Sequence, residues 1–192
     1  MVAGHQGERG IARAALGDPD PSVRGAALGA LERCDALGPD ELSAGLADPD
    51  RSVRRRAALV AAHRVDVAAE LMALLDDPDD TVVEVAAFAW GERTDGTTSV
   101  ARLSLLATTH EDSLCREAAV AALGSIGAPE GLTAVLAGCE DKATVRRRAV
   151  LSLAAFDGPE VTAMLERLCE DRDLQVRQAA EDLLAIERGL DV

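Results

Sequence analysis

The sequence predicts an all-α protein, an α-solenoid of six helix-turn-helix repeats (an α-α superhelix), from three observations. First, the 192 residues are 48% hydrophobic but only 2% aromatic, and they include no Tyr. Small, unbranched apolar residues favour close-packed helices, whereas sheets are rich in β-branched and aromatic residues. Second, an acidic turn recurs as "DPDPSVR", "DPDRSVR" and "DPDDTVV". Third, a segment with helical apolar periodicity follows each turn, and such self-similarity is typical of a repeat array.

The repeated segment after each turn reads apolar–Arg–x–x–Ala–x–x–Ala/Leu–Leu–Gly. Its first residue, which we number position 0, recurs about every thirty residues. At about 100° per residue, positions 0, +4, +8 and +11 lie on one side of a helix and should form the core. In two of the repeats these core residues are Val23, Ala27, Leu31 and Cys34, and Cys115, Ala119, Leu123 and Ile126. We expect one domain over residues 1–192, with repeats at about 5–36, 37–65, 66–95, 96–127, 128–157 and 158–192.

A second helix in each repeat is indicated by proline at its opening turn. Pro39, Pro129 and Pro159 each stand beside an acidic residue at such a start. Proline loses no hydrogen bond in the first helical turn, and an acidic side chain there faces the positive end of the helix dipole. Each repeat is therefore predicted as a first helix, an acidic turn and a second helix. The Ser or Thr after the turn is expected to cap the second helix.

The alternating Asp18, Asp20 and Ser22 also resemble the start of a calcium-binding loop. An EF-hand loop requires Gly at its sixth position and a bidentate Glu at its twelfth. Val23 and Gly29 stand at those positions, and the two other turns lack the same ligand. The residues therefore favour an interhelical turn, and we expect no metal site.

The stretches "DPDPSVRGAALGAL", "DPDRSVRRRAALVAA", "EDSLCREAAVAALGSIG" and "DRDLQVRQAAEDLL" resemble HEAT repeats, in particular the short bacterial repeats of the phycobilisome-lyase-like type. The resemblance covers nearly the whole chain. It implies that aspartates of the turns pair with the arginine at position +1 of a neighbouring repeat. The expected ladder comprises Arg24, Arg54, Arg116, Arg146 and Arg177, and Val83 interrupts it.

Composition excludes several function classes. The formal charge of −14 repels nucleic acid and anionic lipid at long range. The longest stretch without charge, residues 118–129, is too short to span a bilayer. The four cysteines form no C-x-x-C motif, and no secretory signal is evident at the N-terminus. We therefore expect a cytoplasmic protein that binds neither nucleic acid nor membrane, and the resemblance to short bacterial repeats implies a bacterial one.

The resemblance suggests two classes of HEAT-like enzyme, but this chain lacks the functional residues of both. HEAT-like deoxyhypusine hydroxylases hold two irons with several His-Glu pairs, whereas this chain has one, His110-Glu111. HEAT-like DNA glycosylases use aromatic residues on a basic face, but Trp90 occupies core position +8 here. Cys115 stands where the other repeats have Val, which indicates a core role. We therefore expect no catalytic residues and no cofactor. A lyase or chaperone-like helper of a tetrapyrrole-protein conjugate stays open as the alternative.

The family places second helices on the concave side of the solenoid, where such proteins bind partners. Positions +2, +3 and +6 point away from the core side of the second helix. Position +6 is apolar in four consecutive repeats, and exposed apolar patches mark interaction sites. We expect a scaffold or adaptor that binds a protein or peptide segment with an apolar centre and acidic ends. The candidate partner-binding residues are Arg55, Arg56, Leu59, Glu84, Phe88, Glu117, Ala121, Arg147, Arg148 and Leu151.

Overall fold

A computed structural model describes residues 9–187 and 189, and this part of the chain contains helices and turns but no strands. The all-α prediction is confirmed. No helix among these residues is both long enough and apolar enough to cross a membrane. Residues 9–14 are helical. The helices that follow are α1 (Pro21–Arg33), α2 (Pro39–Leu46), α3 (Arg51–Ala61), α4 (Ala68–Ala73), α5 (Asp80–Gly91), α6 (Val100–Thr109), α7 (Ser113–Ile126), α8 (Leu132–Gly138), α9 (Ala143–Ser152), α10 (Pro159–Leu168) and α11 (Leu174–Glu187).

First and second helices alternate along the chain, as the repeat predicts. The even-numbered helices α2 to α10 are first helices, and the odd-numbered helices α1 to α11 are second helices. Short 3₁₀ turns extend or precede several of them, at Ala15–Gly17, Val65–Val67, Leu74–Asp76, Gly96–Ser99, Pro129–Gly131 and Leu153–Ala155.

The helices group into two compact units, unit 1 up to Ala89 and unit 2 from Trp90. In unit 1, α3 packs against its own first helix α2 and against the preceding second helix α1. In unit 2, α7 packs against α6, α11 packs against α10, and the second helices α7, α9 and α11 contact one another in succession. Both units are therefore built from stacked helix pairs, as in an α-solenoid. The single domain over residues 1–192 and the six repeat limits stay predictions.

Aspartate, rather than Ser or Thr, caps the second helices α1, α3 and α7, whereas Lys142 stands at the N-cap of α9 without a capping side-chain hydrogen bond. Asp20 and Asp50 have extended backbone at the N-cap positions of α1 and α3, and each accepts a hydrogen bond from the backbone N–H two residues later at 2.8 Å. Ser22 and Ser52 lie inside the first turn, and their hydroxyls donate to the same carboxylates. The expectation of a Ser or Thr cap is wrong because the last aspartate of the turn already occupies the cap position.

The predicted arginine ladder is present within both units. Arg24 donates from Nε and Nη2 to the two carboxylate oxygens of Asp48 at 2.8 and 2.7 Å. Its Nη1 donates to the carbonyls of Asp18 and Pro19 in its own turn. Each arginine therefore fixes its own turn and joins it to the turn of the next repeat. The same bidentate pairing joins Arg54 to Asp77, Arg116 to Asp141 and Arg146 to Asp171.

The two remaining ladder positions behave differently. Arg177, in α11, donates to the carbonyl of Asp171 in its own turn at 2.6 Å. Val83, which interrupts the ladder, is buried with 1% of its surface exposed. The apolar side chain at this position therefore joins the core instead of bridging two turns.

The core follows the predicted helical register. At position +8, Leu31, Trp90, Leu123 and Leu153 are each at most 1% exposed. Cys115 at position 0 is buried as well, in agreement with its predicted core role. Three residues of the register are only half-buried: Val23 at position 0 of the first repeat, and Cys34 and Ile126 at position +11.

Candidate functional site

The candidate site consists of positions +2, +3 and +6 of the second helices, which we call the second-helix face. In unit 1, position +6 is occupied by Leu59 on α3 and Phe88 on α5. They are 41% and 52% exposed, whereas Ala57, two residues before Leu59, is completely buried. Phe88 is therefore a surface residue rather than a core residue. Two large apolar side chains at equivalent positions form an apolar surface of the kind that marks interaction sites.

Two arginines lie one turn before Leu59 on the same helix. Arg55 is exposed and Arg56 is half-buried. The side chain of Arg56 lies across α1. A Cβ added at Gly29 would overlap the guanidinium of Arg56, and a Cβ added at Gly25 would be 3.9 Å from the Cβ of Arg56. Glycine inside a helix costs about 1 kcal/mol relative to alanine. At Gly29 it leaves the space that the Arg56 side chain occupies.

These arginines have no carboxylate partner inside unit 1. Among the described residues of this unit, Arg33, Arg55 and Arg56 make no hydrogen bond or ion pair with their guanidinium groups. This is unusual in a chain with 34 acidic and 20 basic residues. All three belong to second helices, α1 and α3. The other described arginines of the unit are engaged within the chain: Arg9, Arg13, Arg24, Arg51, Arg54 and Arg64.

In unit 2, the second-helix face contains a cleft of about 370 Å³ between α7 and α9. Leu151, which is 54% exposed, and Ala121 lie along it. The two helices approach closely here because the residues between them are small. A Cβ at Gly124 would be 2.6 Å from the Cβ of Ser152, whose hydroxyl donates to the buried carbonyl of Val120 at 3.1 Å.

The predicted basic pair of unit 2 is engaged within the chain. Arg147 donates to both carboxylate oxygens of Asp173, with distances of 2.5 and 3.1 Å. This contact lowers the pKa of Asp173 to about 2. Arg148 lies on the border of the cleft, with its Nε 3.9 Å from Glu117. The two basic pairs, which are alike in sequence, therefore differ in the structure.

A difference in sequence accompanies the different states of Arg55 and Arg147. Arg147 at position +2 pairs with the last aspartate of the following turn, Asp173. The equivalent aspartate for Arg55 is Asp79, but Arg51 already contacts it at 2.8 Å. Arg51 stands two residues before position 0, where the repeat of Arg147 has Ala143. Sequence reasoning missed this competition, although the exchange of Arg for Ala at equivalent positions is visible in the repeat alignment.

Glu84 and Glu117, at position +2 of the two middle repeats, are half-buried on α5 and α7. The structure thus places every predicted site residue at least partly at the surface: Leu59, Phe88, Arg55, Arg147, Arg148 and Leu151 are exposed, and Arg56, Glu84, Glu117 and Ala121 are half-buried. Whether they bind a partner stays a prediction.

Comparison with known proteins gives the family and the fold. A family model described as HEAT repeats matches residues 39–124, 68–144 and 100–185. The chain is similar to the crystal structure of an engineered protein, with a TM-score of 0.69 and 20% identity over 92% of this chain and 97% of the other. It is also similar to a designed armadillo repeat protein, with a TM-score of 0.66 and 18% identity over 92% and 98% of the two chains.

A third similar structure is that of computationally designed armadillo repeat proteins for modular peptide recognition. Its TM-score is 0.64, with 18% identity over 96% of this chain and all of the other. These likenesses confirm the α-solenoid fold class. No curated protein sequence matches the chain significantly.

Proposed function

The chain belongs to the HEAT-repeat family, and we propose that it is a cytoplasmic, non-enzymatic scaffold or adaptor that binds a polypeptide segment on its second-helix face. The segment combines bulky apolar side chains with acidic residues. The residues proposed to contact it are Leu59, Phe88, Ala121 and Leu151 in an apolar series, with Arg55, Arg56, Glu84, Glu117, Arg147 and Arg148 around them.

The observation that carries this proposal is the exposure of large apolar side chains at one repeat position. Leu59, Phe88 and Leu151 all stand at position +6 and are 41%, 52% and 54% exposed. A single exposed leucine needs no explanation, but apolar residues at the same outward position of several repeats are unexpected on a solvated face. Aromatic residues contribute most to binding where they anchor the centre of a patch. Phe88 is the aromatic residue of this series.

The chemistry of the thiols supports the non-enzymatic part of the proposal. Burial raises the pKa of the Cys139 thiol to about 12, and this side chain is 3% exposed. Cys115 is buried at position 0 of its repeat. A nucleophilic cysteine requires the thiolate and access for the substrate. These two thiols have the features of core residues.

The fold itself is compatible with peptide binding. Stacked helical repeats present one helix of each pair along an extended surface, and repeat proteins use such surfaces for recognition. One protein with this fold was designed for modular peptide recognition. The closer resemblance to phycobilisome-lyase-like repeats suggests the alternative, a helper or lyase of a tetrapyrrole-protein conjugate. A coloured ligand that purifies with the chain would support this alternative.

The proposal is tested by selecting peptides from a random 12-residue display library on the purified chain. We expect enriched sequences that contain bulky apolar residues. Replacing Phe88 with Ala should weaken a selected peptide by about 2 kcal/mol, or roughly thirtyfold, without loss of helical circular dichroism. Leu105, which is 49% exposed on the first helix α6, provides the control. Leu105→Ala should bind like the wild type, because it lies outside the second-helix face.

Two results would count against the proposal. The first is a library from which no peptide is enriched. The second is a Phe88→Ala variant that binds a selected peptide as tightly as the wild type, since Phe88 is the proposed anchor.

A further inference from the structure

The two basic pairs of the second-helix face, Arg55–Arg56 and Arg147–Arg148, stand at the same repeat positions but make different contacts. In unit 2, Arg147 donates from Nε and Nη2 to the carboxylate of Asp173. In unit 1, Arg51 occupies the equivalent carboxylate, Asp79, and Arg55 has no partner among the described residues. The arginine at position +2 thus forms an internal ion pair in unit 2, whereas the equivalent arginine of unit 1 is available to a partner.

We propose that Arg55 and Arg56 form the anionic anchor site of the bound segment, and that Arg51 is a positioning residue that keeps this site available by holding Asp79. The inference rests on the proposed function, because it specifies which residues recognise the acidic part of the partner. The occupant is a carboxylate side chain, Asp or Glu, of the bound polypeptide.

Charge and solvation support this assignment. Arg56 is half-buried with its guanidinium next to Gly29, and this guanidinium makes no hydrogen bond with the described residues. Arginine has five N–H donors in a planar arrangement that matches a carboxylate. The chain carries a net charge of −14, so an acidic segment is repelled by most of the surface. A pair of unpartnered arginines gives such a segment one favourable point of attachment, and this defines its register.

The spacing on α3 specifies the partner further. Arg55 and Arg56 precede Leu59 by four and three residues, so their Cβ atoms lie about one helical turn, or roughly 5–6 Å, from that of Leu59. A complementary segment places an acidic and a bulky apolar residue at a matching distance. That distance corresponds to positions i and i+3 or i+4 in a helix, or to i and i+2 in an extended strand. The surface therefore selects a short acidic–apolar motif.

The test uses a synthetic peptide from the display selection and a second version in which Asp and Glu are changed to Asn and Gln. Affinity for the full-length chain is measured by fluorescence anisotropy at low and high salt. We expect the amide peptide to bind the wild-type chain at least about tenfold more weakly than the acidic peptide does. The acidic peptide should bind the Arg55→Ala/Arg56→Ala variant at least about tenfold more weakly than it binds the wild-type chain. Both changes should also reduce the salt dependence of binding. Arg172→Ala in unit 2, an exposed arginine without a partner among the described residues, is the control and should bind like the wild type.

A reciprocal pair of variants tests the role of Arg51. Arg51→Ala should release Asp79 to Arg55 and weaken the acidic peptide by about threefold, although Arg51 does not contact the peptide. Ala143→Arg should bind Asp173 and release Arg147, and the same peptide should then bind about twofold to threefold more tightly because a further arginine becomes available. An unchanged affinity would contradict this exchange of partners. Equal effects of Arg51→Ala on the acidic and amide peptides would contradict a role through Asp79.

The outcomes separate the inference from the proposed function. If the amide peptide binds as well as the acidic one while Phe88→Ala still abolishes binding, the anchor is wrong and the proposed function stands. If Arg172→Ala weakens the acidic peptide as much as Arg55→Ala/Arg56→Ala does, the effect is one of total charge and the anchor is also wrong. If the library yields no peptide, both are overturned.

Discussion

Replacing Leu123 with Ala should destabilise unit 2 by about 3.5–4.5 kcal/mol, in the upper half of the range observed for buried leucines. Leu123 lies on α7 at position +8 and is 1% exposed. A Cβ at Gly131, in the turn before α8, would be 3.1 Å from its Cδ2. The side chain therefore contacts the following repeat, and its loss affects the packing between two repeats as well as within one.

The expected magnitude has two parts. Removing three buried carbons at about 0.8 kcal/mol each costs roughly 2.4 kcal/mol of transfer free energy. The cavity that remains adds about 1–2 kcal/mol, because the structure around a buried side chain relaxes only partly. Leu105→Ala makes the same chemical change at a residue that is 49% exposed, and it should alter the free energy of unfolding by at most about 0.5 kcal/mol.

Urea denaturation followed by tryptophan fluorescence measures this difference. Trp90 is the single Trp of the chain, and it is completely buried in unit 2, which also contains Leu123 and Leu105. Far-ultraviolet circular dichroism reports the helices of both units in the same experiment. A Leu105→Ala variant as unstable as Leu123→Ala, or a Leu123→Ala variant within 1 kcal/mol of the wild type by rough extrapolation, would refute the helical register described above.

Two further predictions concern acid stability and glycine. Hydrogen bonds from Arg24 and Arg116 lower the pKa of Asp48 and Asp141, and those from Arg51 and Arg147 lower the pKa of Asp79 and Asp173 to about 2. Because a lowered folded-state pKa stabilises the fold above the unfolded value of about 3.9, this stabilisation should be lost as the pH falls from about 4 to about 2. A Tm that falls mainly between pH 7 and 5 would contradict this, and Asp141→Asn should show a smaller loss than the wild type below pH 4. For the glycines, Gly124→Ala should destabilise by about 1–3 kcal/mol because its Cβ would be 2.9 Å from the backbone of Ser152, whereas Gly25→Ala, with 3.9 Å to Arg56, should stabilise by about 0.5–1 kcal/mol. Urea denaturation of both variants measures the two changes in the free energy of unfolding. Changes of the same sign would contradict the packing of α7 on α9.

Much of the fold was predictable because it depends on features that recur in the sequence. The burial of Trp90 and Leu123 follows from the helical period, and the pairing of Arg54 with Asp77 follows from the equivalence of successive turns. The capping residue was not predicted correctly, since Asp50 and Ser52 both have cap-forming side chains and the sequence does not show where the backbone becomes helical.

The candidate site was only partly predictable, for a different reason. Exposure of Leu59, Phe88 and Leu151 follows from their position in the repeat. Whether an arginine forms an internal ion pair depends instead on which of the neighbouring cationic side chains pairs with a given carboxylate. Arg51 and Arg147 both pair with the last aspartate of the following turn from different helical positions. That competition is a property of side-chain reach across two helices, which a pattern of residue types does not specify.

The arginine ladder has a consequence for how such a chain changes in length. In each connection, the arginine lies at the start of the second helix of one repeat, and the aspartate lies in the acidic turn of the next repeat, as Arg24–Asp48 and Arg54–Asp77 show. If a duplication copied residues 37–65 in tandem, Arg54 of the first copy would meet Asp48 of the second, and Arg54 of the second copy would meet Asp77. Each added repeat thus contains the aspartate that pairs with the preceding repeat and the arginine that pairs with the following one. Unequal recombination within the gene can therefore add or remove whole repeats, and with them segments of the second-helix face, without requiring compensating substitutions at these junctions.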